Sequence, residues 1–282
     1  MLNFNGNIIE NNDALLTVEN RGLAYGDAVF ETLRVAGGKI YFWEDHYFRL
    51  MASMRILRME IPMNFTPEML EEEVLKTVNT FKNKTTKATR VKILVWRKNG
   101  GKYTPTTNDV EFYISCEELP QPFYTIDDIS YEIELFKDHF ITSGLLSTLK
   151  SNNRIINVLG SIYAKENDYQ NCLLLNEKKQ IVEALNGNIF LVNGNTVKTP
   201  PLQDGCLNGI LRKQIISICK KLPEYSLEET SVSPFELQKA DEIFITNVIK
   251  GIQPVSKYRK KEYSSLVARD LLGKLNVKAR LG

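Results

Sequence analysis

The sequence contains few histidines and cysteines, and this scarcity excludes several kinds of site. Its two histidines, His46 and His139, are too few for a zinc site built from three histidines, and no HExxH motif is present. The four cysteines stand singly without a CxxC pair, so the usual zinc and iron–sulfur spacings are missing. We therefore expect no metal site, and free thiols favour a reducing, cytoplasmic location. If the protein is an enzyme, lysine with an organic cofactor is one way to move protons.

The sequence also lacks an excess of charge and a long apolar run. Lys plus Arg number 36 and Asp plus Glu number 34, giving a net charge of +2, so no nucleic-acid partner is expected. No run approaches the roughly 18 apolar residues of a membrane span. The first residues lack the basic and apolar regions of a signal peptide, and none is expected. The 282 residues, 43% of them hydrophobic, suffice for about two domains with real cores.

The chain divides into two halves around a proline-containing segment. Asn5-Gly6 predicts a tight hairpin at the start of the first half. Helices are predicted over 44–57 and 66–81, and strands over 29–35, 39–43, 90–96 and 110–116. These elements predict a small N-terminal α+β domain over 1–118, and Pro120 and Pro122 indicate a linker over 119–130. The second domain, 131–282, combines a series of strands with helices over 153–167, 209–221 and 263–275.

Lysine and glutamate side chains supply two candidates for catalysis. Lys150 precedes a polar segment and a predicted helix, where an amine with a lowered pKa is suited to forming a Schiff base. Glu183 lies in a half-apolar strand, and a buried acid there needs a cationic partner, such as a protonated pyridine nitrogen. Taken alone, each residue is better explained by an ordinary solvated position.

Anion-binding candidates occur at three places. The segment Leu207 to Arg212 brings a glycine turn to a helix N-terminus, whose free amide groups suit a phosphate. Arg49 is a second phosphate candidate, because a guanidinium group pairs two donors with phosphate oxygens. Arg97 ends an apolar strand before a glycine-containing loop, where it either binds a substrate carboxylate or simply marks the strand end. An ordinary turn and a surface arginine are the alternatives for the first two.

Six motifs together resemble one family, the class IV aminotransferases, which are the fold-type IV enzymes that use pyridoxal 5′-phosphate. They resemble the family's N-terminal block, its HxxRL segment, the Schiff-base lysine segment, the "E…NIF" strand, the "TPPL…LNGITR" segment and the last block. In order, they lie at Arg21 to Arg34, His46 to Leu50, Lys150 to Arg154, Glu183 to Phe190, Thr199 to Arg212 and Phe244 to Val255. The resemblance covers nearly the whole chain. It implies a two-domain α/β (α+β) fold like that of D-amino-acid aminotransferase, with a larger, β-rich C-terminal domain that carries the lysine.

The resemblance also implies roles for individual residues. Lys150 is similar to the catalytic lysine, which joins the cofactor and later moves the proton, and Glu183 is similar to the acid that pairs with the pyridinium nitrogen. Thr32 and Arg97 are implied to contact the substrate. At position 211 only the backbone amide carries over, because many relatives have a threonine there. The full set implied to bind the cofactor is Arg49, Lys150, Glu183, Asn188, Gly209, Ile210, Leu211, Asn247 and Val248.

Two reactions remain open on these residues. The leading interpretation is an aminotransferase that moves an amino group between a branched-chain type of amino acid and a 2-oxo acid. The alternative is an aminodeoxychorismate lyase, which releases pyruvate and 4-aminobenzoate for folate synthesis. Four features resemble the lyase branch of the family: Thr32, the spacing from Lys150 to Arg154, the loop after Arg97 and the apolar Leu211. Glu31 instead resembles the residue found in the aminotransferase branches. A D-specific enzyme ranks lowest, because no histidine lies near Arg97 in sequence. The family further implies a homodimer acting on small molecules.

Overall fold

The computed structural model describes residues 1–10, 17–81, 86–127 and 129–281, which form two compact units. The first unit comprises 1–123 and 150–153, and the second comprises 124–149 and 154–282. The division after residue 123 falls inside the predicted linker, of which Asp128 lies outside the described residues. One difference from the prediction concerns the lysine segment, since residues 150–153 pack with the first unit and not with the second.

The first unit is a six-stranded antiparallel sheet with helices on one face. Its strands are β1 (Leu2–Phe4), β2 (Asn7–Ile9), β3 (Ala28–Ala36), β4 (Lys39–Ile40), β5 (Ala88–Arg97) and β6 (Val110–Leu119), in the order β2-β1-β6-β5-β3-β4. The helices on the one face are α2 (Trp43–Ile56) and α3 (Pro67–Phe81), whereas the short helix α1 (Arg21–Tyr25) lies against Ala28 and Trp96 on the other. The hairpin β1–β2 is present where it was predicted, and Asn5 and Gly6 both have positive φ, as a type I′ turn needs.

Successive side chains of β3 and β5 point alternately to the two faces of this sheet. Val29 and Leu33 of β3 and Ile93 of β5 point into the main core, which the apolar faces of α2 and α3 complete. The opposite face carries a smaller cluster of Ala28, Leu94 and Trp96, against which Phe4, Phe30 and Tyr113 pack. Because residues two apart share a face, Glu31 belongs to the helix-covered side and Thr32 to the other side.

The second unit contains two five-stranded sheets and three helices. One sheet has the order β12-β11-β10-β13-β14 and the other β16-β15-β7-β8-β9. The strands are β7 (Glu132–Ile141), β8 (Asn171–Asn176), β9 (Ile181–Ala184), β10 (Asn188–Asn193), β11 (Thr196–Thr199), β12 (Ser226–Glu229), β13 (Glu242–Asn247), β14 (Gly251–Pro254), β15 (Lys257–Tyr258) and β16 (Lys261–Glu262). The helices are α4 (Ile155–Glu166), α5 (Ile210–Cys219) and α6 (Leu266–Leu281), with short 3₁₀ turns at Leu145–Thr148, Leu202–Asp204 and Pro234–Gln238.

Aliphatic side chains of both sheets form the main core of the second unit. Leu173 of β8 and Ile181 of β9 pack with Ile189 of β10 and Ile243 of β13, all fully buried. Helix α4 lies on the β7–β8 side, where Gly160 is close to Phe136 and Leu185. Among the described residues, no helix is long and apolar enough to cross a membrane.

Candidate active site

A buried carboxylate of β3 holds two basic side chains of α2. Glu31 is 1% exposed, and its Oε1 and Oε2 accept hydrogen bonds from Nε and an Nη of Arg49 at 2.7 and 2.6 Å. His46 Nδ1 lies 2.6 Å from Glu31 Oε2. The spacing of His46 and Arg49, three residues apart, places both on the side of α2 that faces the strand. A charged cluster is therefore built into the apolar core of the first unit.

The electrostatics of this cluster keep Glu31 ionised. Burial raises its pKa, but the charge and hydrogen bonds of Arg49, aided by His46, lower the pKa to about 2. Burial lowers the pKa of His46 although the Glu31 contact opposes it, so at neutral pH we assign a single proton to Nδ1, which donates to Glu31. Arg49 was predicted to clamp a phosphate, and two of its three guanidinium nitrogens are engaged by Glu31.

The segment containing Lys150 is hydrogen-bonded to the first residues of β3. Phe30 N–H donates to the Lys150 carbonyl at 2.8 Å, Asn152 N–H donates to the Ala28 carbonyl at 3.0 Å, and Ser151 forms a bridge with Val29. These bonds explain why residues 150–153 belong to the first unit. They fix the Lys150 backbone, and its Nζ lies 4.4 Å from the centre of the Phe30 ring.

Arg97, for which the sequence left open a substrate carboxylate or a strand end, has its guanidinium group engaged by other protein groups. Its guanidinium group is 7% exposed and makes a fork with Asp27, with 2.9 Å between Nε and Oδ2. The two remaining nitrogens donate to the carbonyls of Arg58 and Leu57, and one also donates to Asn108 Oδ1. All five donors of an arginine are thereby occupied. The alternative reading, in which Arg97 marks the strand end, describes the structure better.

A second buried arginine shares the Asp27 carboxylate and anchors the loop that follows β5. Arg21 Nε donates to Asp27 Oδ2 at 2.9 Å, and an Nη donates to the carbonyls of Gly100 and Lys102 at 3.1 and 2.6 Å. Through these two arginines, Asp27 connects α1 and the end of β5 to the residue that precedes β3. Arg21 begins the first of the six motifs, but the shared role of Arg21 and Arg97 in holding Asp27 was not predicted.

In the second unit, Glu183 and Asn188 form hydrogen bonds with Leu207 in the turn before α5. Glu183 is 5% exposed, and its Oε2 accepts the Leu207 N–H at 2.8 Å, so the strand carries a buried acid and not a solvated one. Asn188 Nδ2 donates to the Leu207 carbonyl at 2.9 Å. A Cβ on Gly209 would lie 1.9 Å from Asn188 Oδ1, which leaves room for glycine alone. These contacts fix the turn that leads into the helix.

The N-terminus of α5 is suited to an anion. Gly209 caps the helix without a side-chain hydrogen bond, its first turn carries no acid, and Ile210 and Leu211 are buried. Amide groups of a first helical turn lack intrahelical acceptors and attract negative charge. Asn188 pairs with Thr246 across β10 and β13, so their side chains share a face. Thr246 Oγ1 is buried and has no hydrogen-bond partner among the described residues, which the sequence did not predict.

The two remaining predicted cofactor residues, Asn247 and Val248, lie at the end of β13. Asn247 Oδ1 accepts the amides of Ile249 and Lys250 at 3.1 and 2.9 Å, and Tyr124 Oη donates to the Val248 carbonyl at 3.0 Å. These bonds shape the turn that follows the strand. The second unit thus combines a helix N-terminus, an unpaired buried hydroxyl and a buried carboxylate.

This donor set fits a cofactor that has a phosphate group and a basic ring nitrogen. The glycine-lined turn and the orphaned Thr246 hydroxyl suit the phosphate, and the buried Glu183 suits the protonated nitrogen. Among the described residues, no group of three or more His, Cys, Asp or Glu side chains could hold a metal ion.

The relatives of this chain include proteins named as branched-chain aminotransferases, D-alanine aminotransferases and aminodeoxychorismate lyase. The family model for amino-transferase class IV matches residues 28–258. A Methanocaldococcus jannaschii protein assigned as a branched-chain-amino-acid aminotransferase is 30% identical over 253 residues, which is 89% of this chain and 85% of that protein. Aminodeoxychorismate lyase of Vibrio harveyi is 24% identical over 239 residues, 84% and 85% of the two chains. The branched-chain aminotransferase structure from Thermoproteus uzoniensis matches with a TM-score of 0.85 at 22% identity, covering 98% and 93%.

Proposed function

The chain belongs to the amino-transferase class IV family, and on that premise we propose that it is a pyridoxal 5′-phosphate-dependent aminotransferase that uses branched-chain amino acids and a 2-oxo acid. The observation that carries the proposal is the buried Glu183 carboxylate beside the turn that opens α5. Neither an ordinary surface strand nor an ordinary turn needs a buried acid at this position. The relatives named as aminotransferases support the reaction class.

Each of the named residues would contribute defined chemistry. When bound, pyridoxal phosphate supplies an electron-accepting ring for the amino acid's Cα. Glu183 would hold a proton on the ring nitrogen, because a nearby carboxylate favours the protonated, positively charged form of that nitrogen. The amides of Ile210 and Leu211 bind the phosphate, and the Lys150 Nζ attaches the cofactor and moves the proton at Cα.

Substitution of the lysine tests this proposal. Lys150→Ala should abolish covalent attachment of the cofactor and amino transfer, whereas Lys165→Ala, on the exposed end of α4, should change neither. The measurement is visible absorbance together with conversion of L-leucine in the presence of 2-oxoglutarate. Normal turnover by Lys150→Ala would exclude the proposed role.

The lyase is the second candidate, and one residue of the phosphate turn favours it. Leu211 is 1% exposed and has no hydroxyl, which makes this turn resemble the lyase branch of the family. Aminodeoxychorismate lyase of Vibrio harveyi is among the relatives. Release of pyruvate from aminodeoxychorismate, with no amino transfer from leucine, would replace the first proposal by this one.

We also propose a homodimer, located in the cytoplasm. One face of α4 leaves Ile155, Val158, Leu159 and Ile162 between 37% and 65% exposed at helical spacing, and exposed apolar patches commonly mark interfaces. All four cysteines are free, which fits a reducing compartment. Sedimentation of Val158→Asp should show monomers and that of Lys165→Asp should show dimers. A wild-type monomer would contradict the proposal.

A further inference from the structure

Tyr124 is a buried aromatic residue within the segment that the sequence predicts as a linker. Its side chain belongs to the second unit and is 3% exposed, whereas its neighbours Phe123 and Thr125 are both exposed. Connecting segments usually run over the protein surface, where their side chains contact water. A tyrosine that is buried in such a segment therefore indicates a specific contact with the unit that it enters.

The side-chain amide of Asn276 holds the Tyr124 backbone. Asn276 Oδ1 accepts the Tyr124 N–H at 3.0 Å, and Asn276 Nδ2 donates to the Tyr124 carbonyl at 2.9 Å. Asn276 lies in α6, which also packs against β14. Because one amide binds both polar groups of the same residue, the two hydrogen bonds constrain the position and the rotation of the Tyr124 backbone.

The ring of Tyr124 lies against the backbone of Gly251, the first residue of β14. A Cβ on Gly251 would lie 2.6 Å from Tyr124 Cγ, so this close approach requires glycine. Gly251 also has a φ of +79°, which glycine adopts without strain. It pairs with Asn247 of β13, and residues 248–250 form the loop between the two strands. The ring therefore covers one end of loop 248–250.

The peptide unit that joins Val248 to Ile249 is held at both of its polar atoms. Tyr124 Oη donates to the Val248 carbonyl at 3.0 Å, and the Ile249 N–H donates to Asn247 Oδ1 at 3.1 Å. A peptide unit is planar, so two hydrogen bonds at opposite edges fix its orientation. Tyr124 supplies one of these two bonds and thereby fixes the backbone of the loop.

Loop 248–250 begins next to the place proposed for the cofactor phosphate. Thr246, two residues before the loop, has a buried Oγ1 without a hydrogen-bond partner among the described residues. It pairs across the sheet with Asn188, whose Oδ1 lies against Gly209 at the start of α5. The end of β13 and the N-terminus of α5 thus meet at Asn188. A change in the loop would therefore alter the surroundings of a phosphate bound there.

We propose that Tyr124 positions loop 248–250 for binding of the cofactor phosphate, and that Asn276 holds Tyr124 in place. The inference rests on the proposed function, which puts the phosphate at the N-terminus of α5. Tyr124 is a positioning residue, because its hydroxyl acts through the Val248 carbonyl. Its contribution is consequently specific to the phosphate and independent of the ring and the aldehyde of the cofactor.

The experiment uses Tyr124→Phe, which keeps the ring on Gly251 and removes the hydroxyl. Equilibrium dialysis measures the dissociation constants of pyridoxal phosphate and of pyridoxal, which has the same ring and aldehyde without the phosphate. Their ratio is the phosphate preference. Tyr263→Phe is the matched control, because Tyr263 Oη also donates to a backbone carbonyl of the second unit, that of Leu237, at 2.7 Å. Asn276→Leu is a second test variant.

We expect Tyr124→Phe to lower the phosphate preference about 3- to 10-fold, as the loss of one hydrogen bond predicts. Tyr263→Phe should keep the preference of the wild type. Asn276→Leu should lower it as well, and should add little when it is combined with Tyr124→Phe, because both substitutions act through the same bond. An unchanged preference in Tyr124→Phe, or equal weakening for pyridoxal phosphate and pyridoxal, would overturn the inference.

Amino transfer from L-leucine to 2-oxoglutarate separates this inference from the proposed function. If the wild type transfers no amino group but Tyr124→Phe lowers the phosphate preference, the proposed function fails and the role of Tyr124 stands. If the wild type transfers the amino group and Tyr124→Phe keeps the full preference, the inference fails and the proposed function stands. A wild type that binds pyridoxal phosphate no more tightly than pyridoxal would also overturn the inference.

Discussion

The buried carboxylate of Glu31 should control how the first unit responds to acid. Its two oxygens accept hydrogen bonds from Arg49, and His46 contacts the same group. Glu31→Gln keeps the size of the side chain and removes its charge. The guanidinium of Arg49 then lies beside a neutral amide in the core, and we expect the variant to be less stable at neutral pH.

The magnitude follows from the pKa of Glu31, which lies at about 2 compared with an ordinary value of 4.5. Burial raises this pKa, but Arg49 and His46 together lower it by more. Because the pKa of the folded state is the lower one, the stabilisation is complete above pH 4.5 and is lost as the pH falls towards 2. The shift corresponds to about 3 kcal/mol, of which about 2 kcal/mol is lost by pH 3.

Urea denaturation at pH 7, 5 and 3 measures this effect. Both tryptophans, Trp43 and Trp96, lie in the first unit, so their fluorescence reports its unfolding. The difference in unfolding free energy between wild type and Glu31→Gln should narrow by about 2 kcal/mol between pH 7 and pH 3. Glu117→Gln, at an exposed ion pair, should follow the wild type. A difference that stays constant over this pH range would refute the reasoning.

Three further predictions concern buried groups. Arg97→Met should lower the unfolding free energy by about 3 kcal/mol in urea denaturation, since it removes one of two cations on Asp27; a change below the scatter of the measurement would contradict the structural role. Gly209→Ala should weaken pyridoxal phosphate binding at least tenfold by equilibrium dialysis, because its Cβ meets Asn188; Gly194→Ala, in an open turn, should not. The four cysteines should react slowly with a thiol reagent at pH 8, since burial raises every cysteine pKa to about 11 or 12, and rapid labelling of the folded protein would be inconsistent with this burial.

Local signals in the sequence predicted most of the elements. Asn5-Gly6 predicted the first hairpin because both positions need positive φ, and Thr66 accepts the Met69 amide at the start of α3, as its capping role required. The helix predicted over 153–167 is present as Ile155–Glu166. Such features depend on a few neighbouring residues and can therefore be derived without knowledge of the tertiary fold.

Non-local pairing explains what the sequence did not predict. The position of Arg97 at a strand end was correctly identified, but Asp27 lies 70 residues away and takes up its guanidinium group. Likewise Lys150 joins the first unit through hydrogen bonds with Ala28 and Phe30. The charged cluster around Glu31 needed the packing of α2 on β3, which periodicity alone does not define.

Absorbance spectroscopy of the purified protein with pyridoxal phosphate tests the central claim most directly. The wild type should show visible absorbance from cofactor attached to Lys150, and an amino-acid donor such as L-leucine should remove that band by converting the cofactor to its amine form. Glu183→Gln should keep the cofactor but slow this conversion by orders of magnitude. A wild-type protein that shows no visible band with added cofactor, or an equally rapid conversion by Glu183→Gln, would contradict the account.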